Sequence, residues 1–118
     1  MSKQTLKTTE HQRSVADGVR LFFRHIRPKK VRGVVVWLHG YGDYGGRCPH
    51  VFERLASIGC ATIAPDHRGH GRTARVLGYI ESLDAIVDDI FLLRRFAEEQ
   101  HPGVPVFLLG HSMGGLLS

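Results

Sequence analysis

Residues 106–118 read VFLLGHSMGGLLS. Val106 to Leu109 is a short, continuous apolar run of the kind that forms a buried strand. It leads straight into Gly110-His111-Ser112-Met113-Gly114, a G-x-S-x-G pattern, and Leu116-Leu117 beyond it can open a helix from Gly114. In a chain with 14 glycines such a pattern alone says little. Its place between a strand and a helix is what makes it informative. A sharp strand-to-helix turn needs small residues two positions either side of its apex, and Gly110 and Gly114 supply them. The turn lifts the Ser112 hydroxyl above the sheet and sets it at a helix N-terminus, where developing negative charge is favoured. Ser112 is the candidate nucleophile. His111, its neighbour, points to the other side of the strand and does not serve as its base.

Working back from this turn, buried strands alternate with amphipathic helices. Asp17-Gly18 reads as a hairpin turn, with Arg13 to Ala16 on one side and the strand Val19 to Ile26 on the other. Pro28 to Arg32 forms a second turn. Gly33 to Leu38 (GVVVWL) suits a central strand buried on both faces. Val51, Phe52, Leu55, Ala56 and Ile58 repeat at helical spacing, with Pro49 in the first turn and Gly59 at the end. Cys60 to Ala64 is another buried strand, closed by Pro65-Asp66. Leu83, Ile86, Val87, Ile90, Phe91 and Ala97 form the apolar stripe of a second helix, which Pro102-Gly103 ends. Asp84, Asp88 and Asp89 near its start and Arg94 and Arg95 near its end complement the helix dipole. The order implies an α/β fold: a hairpin, then parallel strands with helices on both faces. Residues 1–12 read as a polar N-terminal segment and 13–118 as the domain.

The loop after Leu38 has two readings. Gly40-Tyr41-Gly42-Asp43-Tyr44-Gly45 matches the G-x-G-x-x-G of dinucleotide sites, with Asp66 near the spacing of a ribose-binding acid. In those sites the helix starts within the glycine motif and meets the pyrophosphate. Here helical spacing starts only near Pro49, and Asp43, Tyr44 and Arg47 crowd the place where bare backbone should approach phosphate. The other reading uses the loop with Ser112. Acyl transfer places negative charge on an oxygen, which needs two preorganised N–H donors. The backbone N–H of Met113 is one, and the backbone N–H of Tyr41 is the other. His39 orders this loop, and Gly40 and Gly42 let it lie close to the serine.

The remaining motifs read as structural. Asp66 stands before the serine in chain order and is assigned to structure. His67 and His70, either side of Arg68-Gly69, form a hydrogen-bonded turn rather than a metal site. Tyr41 and Tyr44 either line a substrate mouth or pack the loop. The net charge of +5 gathers at Arg24, Arg27, Lys29, Lys30 and Arg32. This cluster reads as a solvated strand end and turn, the alternative being attraction to nucleic acid or anionic lipid. No interleaved aromatics suggest base stacking, so no nucleic-acid partner is expected. Cys48 and Cys60 lack metal-ligand spacing and read as reduced thiols, which with the polar N-terminus points to the cytoplasm. No run approaches the roughly 20 apolar residues of a membrane span.

The stretches HGYGDYGGR, APDHRGHGRT and VPVFLLGHSMGG together resemble the monoacylglycerol lipase and lysophospholipase branch of the α/β-hydrolases, which overlaps with serine aminopeptidase-type hydrolases. The likeness runs from about residue 15 to 118, with motif order and spacing in agreement. It is specific for fold and nucleophile and less so for substrate. Thr73 departs from the serine many relatives carry after G-H-G-x. The resemblance implies an ester hydrolase that needs neither metal nor organic cofactor. Its substrate would be an acylglycerol or lysophospholipid, with peripheral membrane contact. The triad order of this fold is Ser, then acid, then His. Both partners are expected beyond Ser118, so the chain reads as the N-terminal part of an incomplete hydrolase, inactive alone, with an exposed apolar last strand. A non-catalytic truncated binding module is the alternative, and a dinucleotide-binding fragment using Gly40, Gly42 and Gly45 the lesser one.

Overall fold

The computed structural model describes residues 6–14, 19–39, 49–67, 71–73 and 83–110. Five strands form one sheet: β1 (Lys7–Ser14), β2 (Arg20–Arg27), β3 (Gly33–Leu38), β4 (Cys60–Pro65) and β5 (Val106–Gly110), in the order β1-β2-β4-β3-β5. Helix α1 (Pro49–Ser57) joins β3 to β4, and α2 (Leu83–Gln100) lies between β4 and β5. β3 pairs in parallel with β4 and β5, whereas β1–β2 and β2–β4 are antiparallel. Parallel neighbours cannot be joined by a tight turn and need a crossover, which the two helices provide.

Alternation along the strands divides the core in two. Val34, Val36, Leu38, Ala61 and Ile63 pack with Ile86, Ile90, Leu93, Phe96 and Ala97 of α2. The intervening residues meet α1 on the other face, where Ile26 and Ala64 pack with Phe52 and Trp37. The expected strand–helix alternation is present, with helices on both faces of a mixed sheet.

Three details differ from the sequence reading. The first strand starts at Lys7, so residues 7–12 of the polar N-terminal segment are part of the sheet and Arg13 lies near the end of that strand. Polar residues suit an edge strand that contributes mainly its backbone ladder. His11 nevertheless stacks on the Phe23 ring at 5.1 Å, and the Arg13 guanidinium lies 5.6 Å from the Phe96 ring centre. Phe91 is 55% exposed, because the buried stripe of α2 runs through Ile86, Ile90, Leu93 and Ala97 and takes in Asp89 instead. Ile58 is 66% exposed, being in the turn after α1. There Gly59 takes a φ of 88°, and a Cβ would lie 2.9 Å from the Arg32 side chain. β5 is the open edge of the described sheet, as expected of the last strand, with Phe107 54% exposed. The turn at Asp17-Gly18, the helix expected from Gly114 and Cys48 lie outside the described residues. Cys60 is half-buried.

A histidine cluster ties α2 to the antiparallel edge. The Nε2 atoms of His25 and His101 are 2.9 Å apart, so one ring donates and the other accepts. Burial, the neighbouring His101 and Arg27 hold His25 down to about 4. Burial also lowers His11 and His101.

Two outcomes are expected. Leu93→Ala should cost about 2–5 kcal/mol in urea unfolding and Phe91→Ala under about 1 kcal/mol. The cluster binds protons more weakly folded than unfolded. Stability should therefore be full above the ordinary histidine value of 6.5 and fall as pH drops from there towards 4, measured as the unfolding midpoint against pH.

Candidate active site

β3 and β5 run in parallel and end together, with Leu38 paired to Gly110. Neighbouring strands lie about 4.8 Å apart. β3 and β5 thus end at neighbouring points, at the carboxyl ends of parallel strands, where open α/β sheets bind ligands. Of the residues assigned to the candidate site from the sequence, His39 and Gly110 are described. Gly40, Tyr41, Gly42, Gly45, His111, Ser112, Met113 and Gly114 lie outside the described residues.

His39 directly follows β3 and is 1% exposed. Its Nε2 accepts the backbone N–H of His67 at 2.9 Å. An imidazole nitrogen that accepts carries no proton, so neutral His39 holds its hydrogen on Nδ1. The two rings pack with centres 4.2 Å apart. The end of β3 is thereby cross-linked to the chain just past β4.

Asp66, one residue past β4, has no exposed surface. Its Oδ1 accepts from Arg24 Nη1 at 2.8 Å, and its Oδ2 accepts the backbone N–H of Arg72 at 3.0 Å. Its own N–H donates to the Phe22 carbonyl at 2.9 Å. The Arg24 and Arg72 guanidinium groups lie 4.8 and 4.6 Å from the Phe22 ring centre. Thr73 ends a single 3-10 turn, Gly71–Thr73, and its buried hydroxyl accepts the Phe22 N–H at 3.0 Å. Serine would offer the same oxygen, so threonine at this position keeps the bond. Both carboxylate oxygens of Asp66 are engaged in holding the fold and the residue is fully buried, which disfavours a role as a ribose ligand. Helix α1 starts at Pro49, well past Gly45. Both facts weigh against the dinucleotide reading. Among the described residues no group of three or more His, Cys, Asp or Glu could hold a metal ion. Also among them, no helix is long and apolar enough to cross a membrane.

The sequence reading missed Arg24, Phe22 and Thr73 as partners of this loop. They stand 42 to 51 residues from what they bind, beyond the reach of any local pattern.

The family model described as "Serine aminopeptidase, S33" matches residues 29–118. The chain belongs to the serine aminopeptidase S33 family. A relative within reach of this S33 chain is the monoacylglycerol lipase of Mycolicibacterium smegmatis, 40% identical over 91% of this chain and 39% of the relative. Human monoglyceride lipase is 33% identical over 87% of this chain and 34% of its own length. Among solved structures, a thermostable carboxyl esterase from Bacillus coagulans superposes with a TM-score of 0.84 at 28% identity, covering 96% of this chain and 39% of that one. A soluble variant of monoglyceride lipase from Saccharomyces cerevisiae, in complex with a substrate analogue, gives 0.80 at 28% identity over 98% and 38%. The fold is thus the N-terminal part of an α/β-hydrolase, and the S33 chain spans about two fifths of the length of these relatives.

Removing the buried Asp66 carboxylate takes away the acceptor shared by Arg24 and Arg72. Asp66→Ala should cost about 3–5 kcal/mol in urea unfolding, and Thr73→Ser under about 1 kcal/mol.

Proposed function

We propose that this chain carries the nucleophile segment of a serine ester hydrolase acting on monoacylglycerol-type lipid esters. The observation that carries the reading is the paired ends of β3 and β5, with Leu38 opposite Gly110. Ser112 follows Gly110 by two residues and Tyr41 follows Leu38 by three, so a nucleophile and a loop donor start from neighbouring points. The relatives named as monoacylglycerol and monoglyceride lipases support the substrate class.

In this reading the Ser112 Oγ bonds to the ester carbonyl carbon as its proton passes to a base. The backbone N–H groups of Met113 and Tyr41 donate to the resulting oxyanion, each worth a few kcal/mol. Collapse breaks the ester C–O bond, and the glycerol alkoxide leaves with the proton from the base. Water then attacks the acyl-enzyme, releasing fatty acid and restoring Ser112. His39 acts by position, fixing the start of the Tyr41 loop through its bond with His67. It is not the base, since its Nε2 is already an acceptor. His11, His25 and His101 cluster between the antiparallel edge and the end of α2, away from the β3–β5 ends. We assign the base and its acid to the part of the hydrolase domain that these 118 residues do not include. Substrates of this class gather at lipid–water interfaces, so peripheral membrane contact belongs to the same proposal, as does a cytoplasmic location.

The test is fluorophosphonate labelling with peptide mapping, together with monoacylglycerol hydrolysis. In the complete hydrolase the adduct should map to Ser112, and Ser112→Ala should lower turnover by about 10³-fold or more. The 118-residue chain alone should hydrolyse at the background rate. Ser112-dependent turnover by that chain would overturn the assignment of the base, and an adduct on another residue would overturn the nucleophile.

A further inference from the structure

The fold gathers unpaired cations at the end of the sheet opposite the Leu38–Gly110 pair. Lys7 opens β1 directly across the ladder from Arg27, which ends β2. Like charges facing each other across a β-ladder are destabilising. Lys29 and Lys30 follow at once in the turn after buried Pro28. With His101, which follows the C-terminus of α2, these side chains line a cleft of about 870 Å³, and among the described residues no acidic side chain lines it. Elsewhere Arg24, Arg72 and Arg94 each meet a carboxylate. Among the described residues Lys7, Arg27, Lys29 and Lys30 meet none. The positive field is felt locally, since Arg27 helps to lower His11, His25 and His101 alike.

We propose that the cleft formed by Lys7, Arg27, Lys29, Lys30 and His101 binds a phosphate monoester dianion, free or carried on a lipid headgroup. Such a group brings close to two negative charges and three acceptor oxygens to a site lined by four cationic side chains, with Gln100 at the end of α2 beside them. The cleft is open to solvent and wider than a bare phosphate. It leaves room for the group that bears the phosphate. β3 rises about 3.3 Å per residue over six residues, so roughly 15–20 Å separate this cleft from the nucleophile edge. One ester substrate cannot have its phosphate here and its carbonyl at Ser112. The site is therefore separate from catalysis, and its test does not depend on the assignment of Ser112. β1 and β2 lie at the edge of the sheet away from β5, so strands added beside β5 leave the cleft open.

The experiment titrates the protein with inorganic phosphate at constant ionic strength, with chloride as the reference ion. It follows heat and the ring resonances of His101, whose neighbours are His25 Nε2 and Arg27. Vesicles of phosphatidylcholine with and without phosphatidic acid form a second arm. Saturable phosphate binding with a rise in the His101 titration midpoint is expected. Lys29→Gln/Lys30→Gln should weaken it by about tenfold or more, and Arg54→Gln, exposed on α1, should leave it unchanged. Lysine-dependent binding to phosphatidic-acid vesicles without free-phosphate binding would place the phosphate on a lipid and still support the site. The proposal is overturned if neither ligand binds above its reference. It is equally overturned if Arg54→Gln weakens binding as much as the double variant. The cations would then serve only the carbonyl end of α2, and their loss would lower the unfolding temperature without any effect of phosphate.

Discussion

Val34 and Val36 of β3 are fully buried, and each is flanked in register by β4 on one side and β5 on the other: Ala61 and Val106 beside Val34, Ile63 and Leu108 beside Val36. Parallel pairing on both sides sends the chain over the sheet twice, and α1 and α2 are those passages. It also sets all three strand ends pointing one way. The close approach of the His39 and His67 rings and the pairing of Leu38 with Gly110 are consequences of that alignment. A slip of one residue in either ladder would turn Val34 and Val36 to the other face and separate the segments from which the candidate site departs.

Around this apolar frame the polar groups divide into two kinds. The Arg24–Asp66–Arg72 junction is compact and internally satisfied, with a carboxylate that receives a side-chain donor and a backbone donor. It holds the chain after β4 against β2 and serves the fold. Among the described residues the cations at the opposite end meet no carboxylate. A closed network and an open one thus stand at the two ends of the described sheet.

Much of the fold was legible because it rests on short-range pattern. GVVVWL and CATIA are continuous apolar runs of strand length, and the structure places them at the centre of the sheet. Where the reading failed, partners distant in the chain decided the outcome. Lys7 to Gln12 has no apolar alternation, and only its ladder with β2 makes it a strand. Phe91 fits a helical stripe as well as Leu93 does, and only the position of the sheet selects between them. For the candidate site, Gly110 ends β5 and His39 directly follows β3, while the other motif residues lie outside the described residues. The bond from His67 to His39 could not be read in advance, because no local pattern links residues 28 apart.

The two helical covers of the sheet are unequal. Helix α2 spans 18 residues and contributes five side chains to the larger core, whereas α1 spans nine and buries only Phe52 and Ala56. Backbone amides on the two helices therefore belong to different exchange classes. Those of α1 can trade hydrogen for deuterium through a local opening that leaves the other layer closed, while those of β3, β4 and α2 wait for a larger unfolding event. The cover expected to open last is α2, the one packed against Leu38 at the end of β3.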